Sequence, residues 1–145
     1  LPALISKFFK AKQNKSQEVV CWGTGSPLRE FLHVDDLAEA CIFVLQNWDP
    51  SDAASPKDDQ GNTLTYLNVG TGSDISIKEL AFLIAKNIGF EGDIIWDTSK
   101  PDGTPKKQLN VERINKLGWS AKIKLEEGIL STIQNYIESE INNNQ

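Results

Sequence analysis

Val19-Val20-Cys21-Trp22-Gly23-Thr24-Gly25-Ser26-Pro27-Leu28-Arg29-Glu30-Phe31-Leu32-His33-Val34-Asp35-Asp36-Leu37-Ala38 decides how this chain is read. It passes from an apolar run through a Gly/Pro turn to an isolated arginine and then to a helix start. That order predicts a strand at Glu18–Trp22 closed by Gly23, Gly25 and Pro27, extended chain over 31–34, and a helix capped by Asp35 or Asp36. The helix would run to about Trp48, with Leu37, Ala40, Cys41, Val44, Leu45 and Trp48 at helical spacing. A cation and exposed backbone amides beside an aromatic ring suit a ligand that carries phosphate and sugar.

Working outward, residues 2–12 form a second apolar-periodic helix, with Pro2 in its first turn and Leu4, Ile5, Phe8 and Phe9 on one face. Residues 49–63 have loop composition throughout. Thr65–Val69 reads as a strand ending at Gly70-Thr71-Gly72, and Ser73, Asp74 or Ser76 can cap a helix over 77–88 that stops at Gly89. A strand at 93–96, a Pro/Gly-rich loop over 97–108, a short helix at 111–117 and a last helix over 125–140 complete the order. Residues 142–145 are expected to fray. Strands alternating with helices make this α/β material, with too few strands for a self-sufficient doubly wound sheet.

The bulk properties narrow the partners. The chain has 145 residues, 39% hydrophobic and 24% charged, with a net charge of -5. Such an acidic balance argues against a broad nucleic-acid surface, so a phosphate site must be local. No segment approaches a membrane span, and Cys21 and Cys41 match no metal or redox spacing and read as two buried thiols of a reducing, cytoplasmic compartment. The chain contains no Met and opens on Leu1-Pro2 directly ahead of a helix, which points to the later part of a longer polypeptide.

Each candidate site residue has two readings. Arg29 either forks onto a phosphate or pairs with Glu30 or Asp35. Trp22 either stacks a sugar or base or fills the core. Lys106 and Lys107 are either solvated or delivered to a phosphate by the turn at Pro101, Gly103 and Pro105. Gly70-Thr71-Gly72 resembles an anion nest but lacks the third glycine of a dinucleotide fingerprint, and reads as a strand-to-helix turn. His33, the single histidine, is placed for a structural hydrogen bond. No nucleophile–base pair and no metal-ligand spacing is present, so the catalytic, cofactor and metal sets are empty for this chain.

Trp22 through Ala38, together with Lys100-Pro101-Asp102-Gly103-Thr104-Pro105-Lys106-Lys107, resembles the GDP-L-fucose synthase family of extended short-chain dehydrogenase/reductases. Leu67-Asn68-Val69-Gly70-Thr71-Gly72 and Leu117-Gly118-Trp119 agree in order and spacing. The resemblance implies residues 1–145 are a carboxyl-terminal substrate-binding portion whose Rossmann core lies elsewhere, with 49–63 as a surface loop. It implies that Trp22 lies against the sugar, and that Arg29, Lys107 and Lys7 hold the diphosphate. At Lys7 other members can carry arginine, so its bidentate fork is lost.

The resemblance further implies GDP-4-keto-6-deoxy-mannose as substrate, GDP-fucose as product, and NADPH as cofactor of the complete enzyme, which is expected to be a homodimer. The hydride and epimerisation residues would precede Leu1, so this portion alone would be inactive and hold no cofactor stably. Leu37, Cys41, Val44 and Leu45 would then face a partner surface. The alternatives are the same portion of another nucleotide-sugar epimerase, dehydratase or decarboxylase, or a non-catalytic nucleotide-sugar binding module.

Overall fold

The computed structural model describes residues 1–143. In chain order it contains α1 (Pro2–Gln13), β1 (Glu18–Trp22), β2 (Leu28–Glu30), α2 (Val34–Asn47), β3 (Asp74–Ser76), α3 (Ile77–Ile88), β4 (Asp93–Asp97), β5 (Lys106–Lys107), α4 (Glu112–Leu117) and α5 (Leu125–Asn143). The chain divides into two units. The first comprises Leu1–Arg29, Ile75–Lys107 and the chain from Glu126 onward, and the second Glu30–Asp74 and Gln108–Leu125.

In the first unit β1 alternates exposed and buried residues and pairs in parallel with β4, Glu18 opposite Asp93 and Trp22 opposite Asp97. Its inward residues, Val19 and Cys21, join a core of Ile5, Phe8, Leu80, Ile84, Ile88, Ile129 and Ile133. The expected apolar face of α1 is this core face. Phe8 meets Phe90 and Phe9 meets Tyr136, each with ring centroids 5.5 Å apart. Burying such a set is the main stabilising term, at about 1.5–3 kcal/mol per large side chain. α3 begins with a capping box: Ser76 Oγ accepts from the Glu79 N–H and the Glu79 carboxylate accepts from the Ser76 N–H. It ends at Gly89 in the left-handed conformation, as the sequence predicts.

The second unit has its own small core of Ala40, Val111, Ile114 and Trp119, flanked by Leu32, Phe43, Val44, Val69 and Ala121. The side chain of His33, not of Asp35 or Asp36, caps α2, its Nδ1 accepting the Asp35 N–H at 3.2 Å. Asp36, only 2% exposed, instead accepts from the amides of Lys122 and Ile123 at 3.1 and 3.0 Å. Residues 49–63 are turns with mostly exposed side chains and one antiparallel bridge, Lys57 to Thr63. Ser55 is the buried exception, donating to the Asp49 carbonyl.

Several expectations need correction. Extended strand pairing falls at Leu28–Glu30 rather than 31–34, because β2 follows the partner edge offered by Lys106–Lys107. Thr65–Val69 joins no ladder; β3 forms later, at Asp74–Ser76. An alternating pattern makes a strand only where an edge is available to satisfy its amides. Cys41 is exposed, and only Cys21 is a buried thiol. α5 continues to Asn143, three residues past its expected end, and 144–145 lie outside the described residues.

Candidate anion-binding site

The site of the first unit is built on the ladder of β2 and β5, which run parallel with Leu28 opposite Lys106 and Arg29 opposite Lys107. The ladder is continued by the Leu28 N–H donating to the Pro105 carbonyl at 2.8 Å. Arg29 is half-buried, and its Nη1 donates to the Leu28 carbonyl at 2.6 Å. Gly103 approaches so closely that a Cβ there would stand 3.0 Å from Nη2. Among the described residues no carboxylate pairs with this guanidinium. The competing pairing with Glu30 or Asp35 is therefore set aside: Asp35 lies 3.7 Å from His33, and Glu30 is engaged with three backbone amides and the Thr71 hydroxyl.

Glu30 belongs to the second unit, where its Oε1 accepts from Thr71 N–H at 2.6 Å and Gly72 N–H at 2.7 Å. Its Oε2 accepts from Leu109 N–H at 2.7 Å. The Gly70-Thr71-Gly72 segment is thus a nest filled by the chain's own carboxylate, and not the strand-to-helix turn expected.

Trp22 ends β1 with 70% of its surface exposed, which removes the core alternative. Lys100 Nζ stands 5.9 Å from its ring centroid, a cation–π contact that the sequence did not single out. Beyond Trp22, Gly23 has φ +77° and a Cβ there would fall 2.2 Å from Asp102 Oδ1, so both backbone and space demand glycine. Thr24 binds that carboxylate twice, through its N–H at 2.9 Å and its hydroxyl at 2.6 Å. These bonds hold the Asp102 carboxyl below the usual range, the hydroxyl contributing more than the amide.

Lys7 lies on the exposed side of α1 and donates to the Val20 carbonyl at 2.7 Å, tying its ammonium to β1. Of the four expected ligand residues, Arg29 and Lys107 are register partners, Trp22 is joined by Lys100, and Lys7 is held on the strand that carries Trp22. Burial pushes the Cys21 thiol up, partly opposed by the Lys7 charge, so Cys21 stays a packed thiol. His33 spends Nδ1 on its helix cap. Among the described residues no cluster of His, Cys, Asp or Glu is placed to hold a metal ion, and no helix is long and apolar enough to cross a membrane.

The family described as "NAD dependent epimerase/dehydratase family" matches residues 1–56. GDP-L-fucose synthase 1 of Arabidopsis thaliana is 45% identical over 98% of this chain and 40% of its own length. GDP-L-fucose synthase of Escherichia coli strain K12 is 44% identical over 97% of this chain and 42% of its own. This chain is a homologue of the GDP-L-fucose synthases. It spans about two-fifths of the length of the curated relatives it matches. A GDP-mannoheptose C4 reductase from Campylobacter jejuni, solved with NADP bound, superposes with a TM-score of 0.77 at 35% identity, over 94% of this chain and 44% of that one. The α/β fold is therefore that of a portion of an extended short-chain dehydrogenase/reductase, as expected. The Gly70-Thr71-Gly72 turn does not fit a pyrophosphate, because Glu30 already takes the Thr71 and Gly72 amides.

Proposed function

We propose that this chain is the carboxyl-terminal, GDP-sugar-binding portion of a GDP-L-fucose synthase. The observation that carries the proposal is the pairing of Arg29 with Lys107 across two parallel strands with, among the described residues, no carboxylate joined to the arginine. Like charges set opposite each other on neighbouring strands oppose folding. A bound diphosphate reverses that sign, because Arg29 supplies a planar fork and Lys107 a point charge. Trp22, exposed at the end of β1, offers a ring face for the sugar, and Lys7 supplies a further cation.

In this reading the substrate is GDP-4-keto-6-deoxy-mannose. Its C4 ketone acidifies the flanking C3 and C5 protons, which permits epimerisation before the ketone is reduced to give GDP-fucose. NADPH supplies the hydride when bound to the complete enzyme. The residues of this chain grip the nucleotide end, far from the reacting carbons, and that remote binding energy orients the sugar.

The exposed apolar stripe of α2, Val34, Leu37, Cys41 and Leu45, is where we place contact with an amino-terminal Rossmann part. Val44, expected on that face, is instead partly buried on this unit's own core. The exposed free thiol of Cys41 supports a reducing, cytoplasmic setting. A homodimer of the complete enzyme rests on the family resemblance.

The test is calorimetric titration of the complete polypeptide carrying this chain. GDP-sugar binding that is tighter than UDP-sugar binding and weakened by Arg29→Ala supports the proposal. Tighter UDP-sugar binding assigns the chain to another nucleotide-sugar enzyme. Indifference to Arg29→Ala removes the site.

A further inference from the structure

We propose that the cleft between the 49–63 loop and α4 is a binding site for a nucleoside monophosphate. The cleft lies wholly within the second unit and has a volume of about 520 Å³, a size usual for small-molecule sites. The proposal is independent of the GDP-sugar reading, because Arg29 and Lys107 belong to the first unit.

Three cations line the cleft, Lys57 from the loop and Arg113 and Lys116 from α4. In a chain whose net charge is -5 this is a local concentration of positive charge, suited to an anion. Two carboxylates oppose it: Glu112, and Asp59, whose Oδ1 takes Arg113 Nη2 at 3.2 Å. The Asp59 side chain is fully exposed, so the pair contributes little in water and gives way to a better anion. A phosphate monoester is such an anion, carrying nearly two charges and meeting the planar guanidinium with two oxygens. The loop is free to release Asp59, since its other side-chain hydrogen bonds are internal, made by Asp49, Asp52, Ser55, Asp58 and Asn62.

The rest of the cleft suits a base. Tyr66 lines it with 66% of its surface exposed, a ring face on which a nucleobase can stack. Asn68 donates Nδ2 to the Asn110 carbonyl at 3.2 Å, and Asn110 Oδ1 accepts the Glu112 N–H at 2.9 Å. An acceptor, Asn68 Oδ1, and a donor, Asn110 Nδ2, are left over. They complement the adjacent donor and acceptor on the Watson–Crick edge of a base.

The test is titration of the complete polypeptide with AMP and with GMP, in an Arg29→Ala background saturated with NADPH, so that neither the ladder nor the cofactor site contributes. One of the two nucleotides should bind, and more than tenfold tighter than ribose 5-phosphate. Arg113→Ala and Tyr66→Ala should each weaken it roughly tenfold, the loss of a charge-assisted bond and of a stacking face. Lys116→Gln, a change at an exposed position, should weaken it several-fold, and Asp59→Asn should tighten it by removing the competing anion. Hydrogen exchange over 54–59 and 112–117 should slow when the nucleotide is added. Binding of neither nucleotide, or binding indifferent to both Arg113→Ala and Lys116→Gln, overturns the site. Ribose 5-phosphate that binds as tightly as the nucleotides overturns its assignment to a nucleoside, and weakening by Asp59→Asn overturns the displacement of Asp59.

Discussion

Arg29 and Lys107 face each other as register partners across β2 and β5, two cations on a ladder whose cross-strand pairs ordinarily favour opposite charge. The pair predicts effects of opposite sign on folding and on binding. Lys107→Gln should leave thermal stability unchanged or raised by a few tenths of a kcal/mol while weakening GDP-sugar binding. Arg29→Ala should weaken binding by roughly 1.5–3 kcal/mol. Differential scanning calorimetry beside titration checks both, and a Lys107→Gln protein that is less stable yet binds normally contradicts the pairing.

Glu30→Gln tests a different carboxylate. An amide side chain can satisfy the Thr71 and Gly72 N–H groups through its oxygen, but its NH2 then confronts the Leu109 N–H, donor against donor. Stability should fall by roughly 1.5–3 kcal/mol. Hydrogen exchange should quicken at Thr71, Gly72 and Leu109, and unchanged protection there would refute the three-amide arrangement.

Gly103→Ala should act on the arginine. The added Cβ would stand 3.0 Å from Arg29 Nη2, so the guanidinium must yield by a few tenths of an ångström. Affinity for GDP should drop several-fold with little change in melting temperature. An alanine variant of wild-type affinity would mean the arginine has room to adjust.

Acid should weaken the start of α3. Hydrogen bonds from the Ser76 hydroxyl, and next from its amide, hold the Glu79 carboxyl below its usual range. A depressed folded value means the contribution is complete above the ordinary carboxylate range and is lost as pH falls through the depressed one. Stability measured from about pH 6 to pH 3 should therefore fall less steeply in Glu79→Gln than in wild type. Parallel curves would deny the capping box its charge.

The α2 stripe predicts behaviour of the 145-residue chain by itself. Leu45 is 85% exposed and Leu37 45%. The chain should bind a hydrophobic dye or self-associate, and Leu37→Glu with Leu45→Glu should abolish this without unfolding α2. A dye-silent monomer would mean the stripe needs no cover.

What the sequence disclosed followed the range of the interactions. The α3 cap was narrowed to Ser73, Asp74 or Ser76, of which the structure uses Ser76. α1, β1 and the Gly89 stop rest on neighbours within a few residues, and they were legible. Glu30 was not: its partners lie 41, 42 and 79 residues away, and nothing local distinguishes it from a salt-bridge partner of Arg29. Asp36 reads as a helix cap until its distant amides at Lys122 and Ile123 are known. α2 carries apolar residues on two faces, and periodicity alone cannot say which face the core in hand covers. Arg29, Trp22 and Lys107 were singled out because the motif carries them; the register of Arg29 with Lys107 and the exposure of Trp22 came only with the fold. Lys100 was visible only as a residue of the 97–108 loop, since its approach to the Trp22 ring depends on how that loop turns.

Glu30 also bears on how phosphate acts on this protein. A nest that is already neutralised by a covalently attached anion has no affinity left to offer inorganic phosphate. Competition by phosphate, and the salt dependence of nucleotide binding, should then carry no contribution from this nest. The carboxylate next to Arg29 serves as the internal blank of that titration.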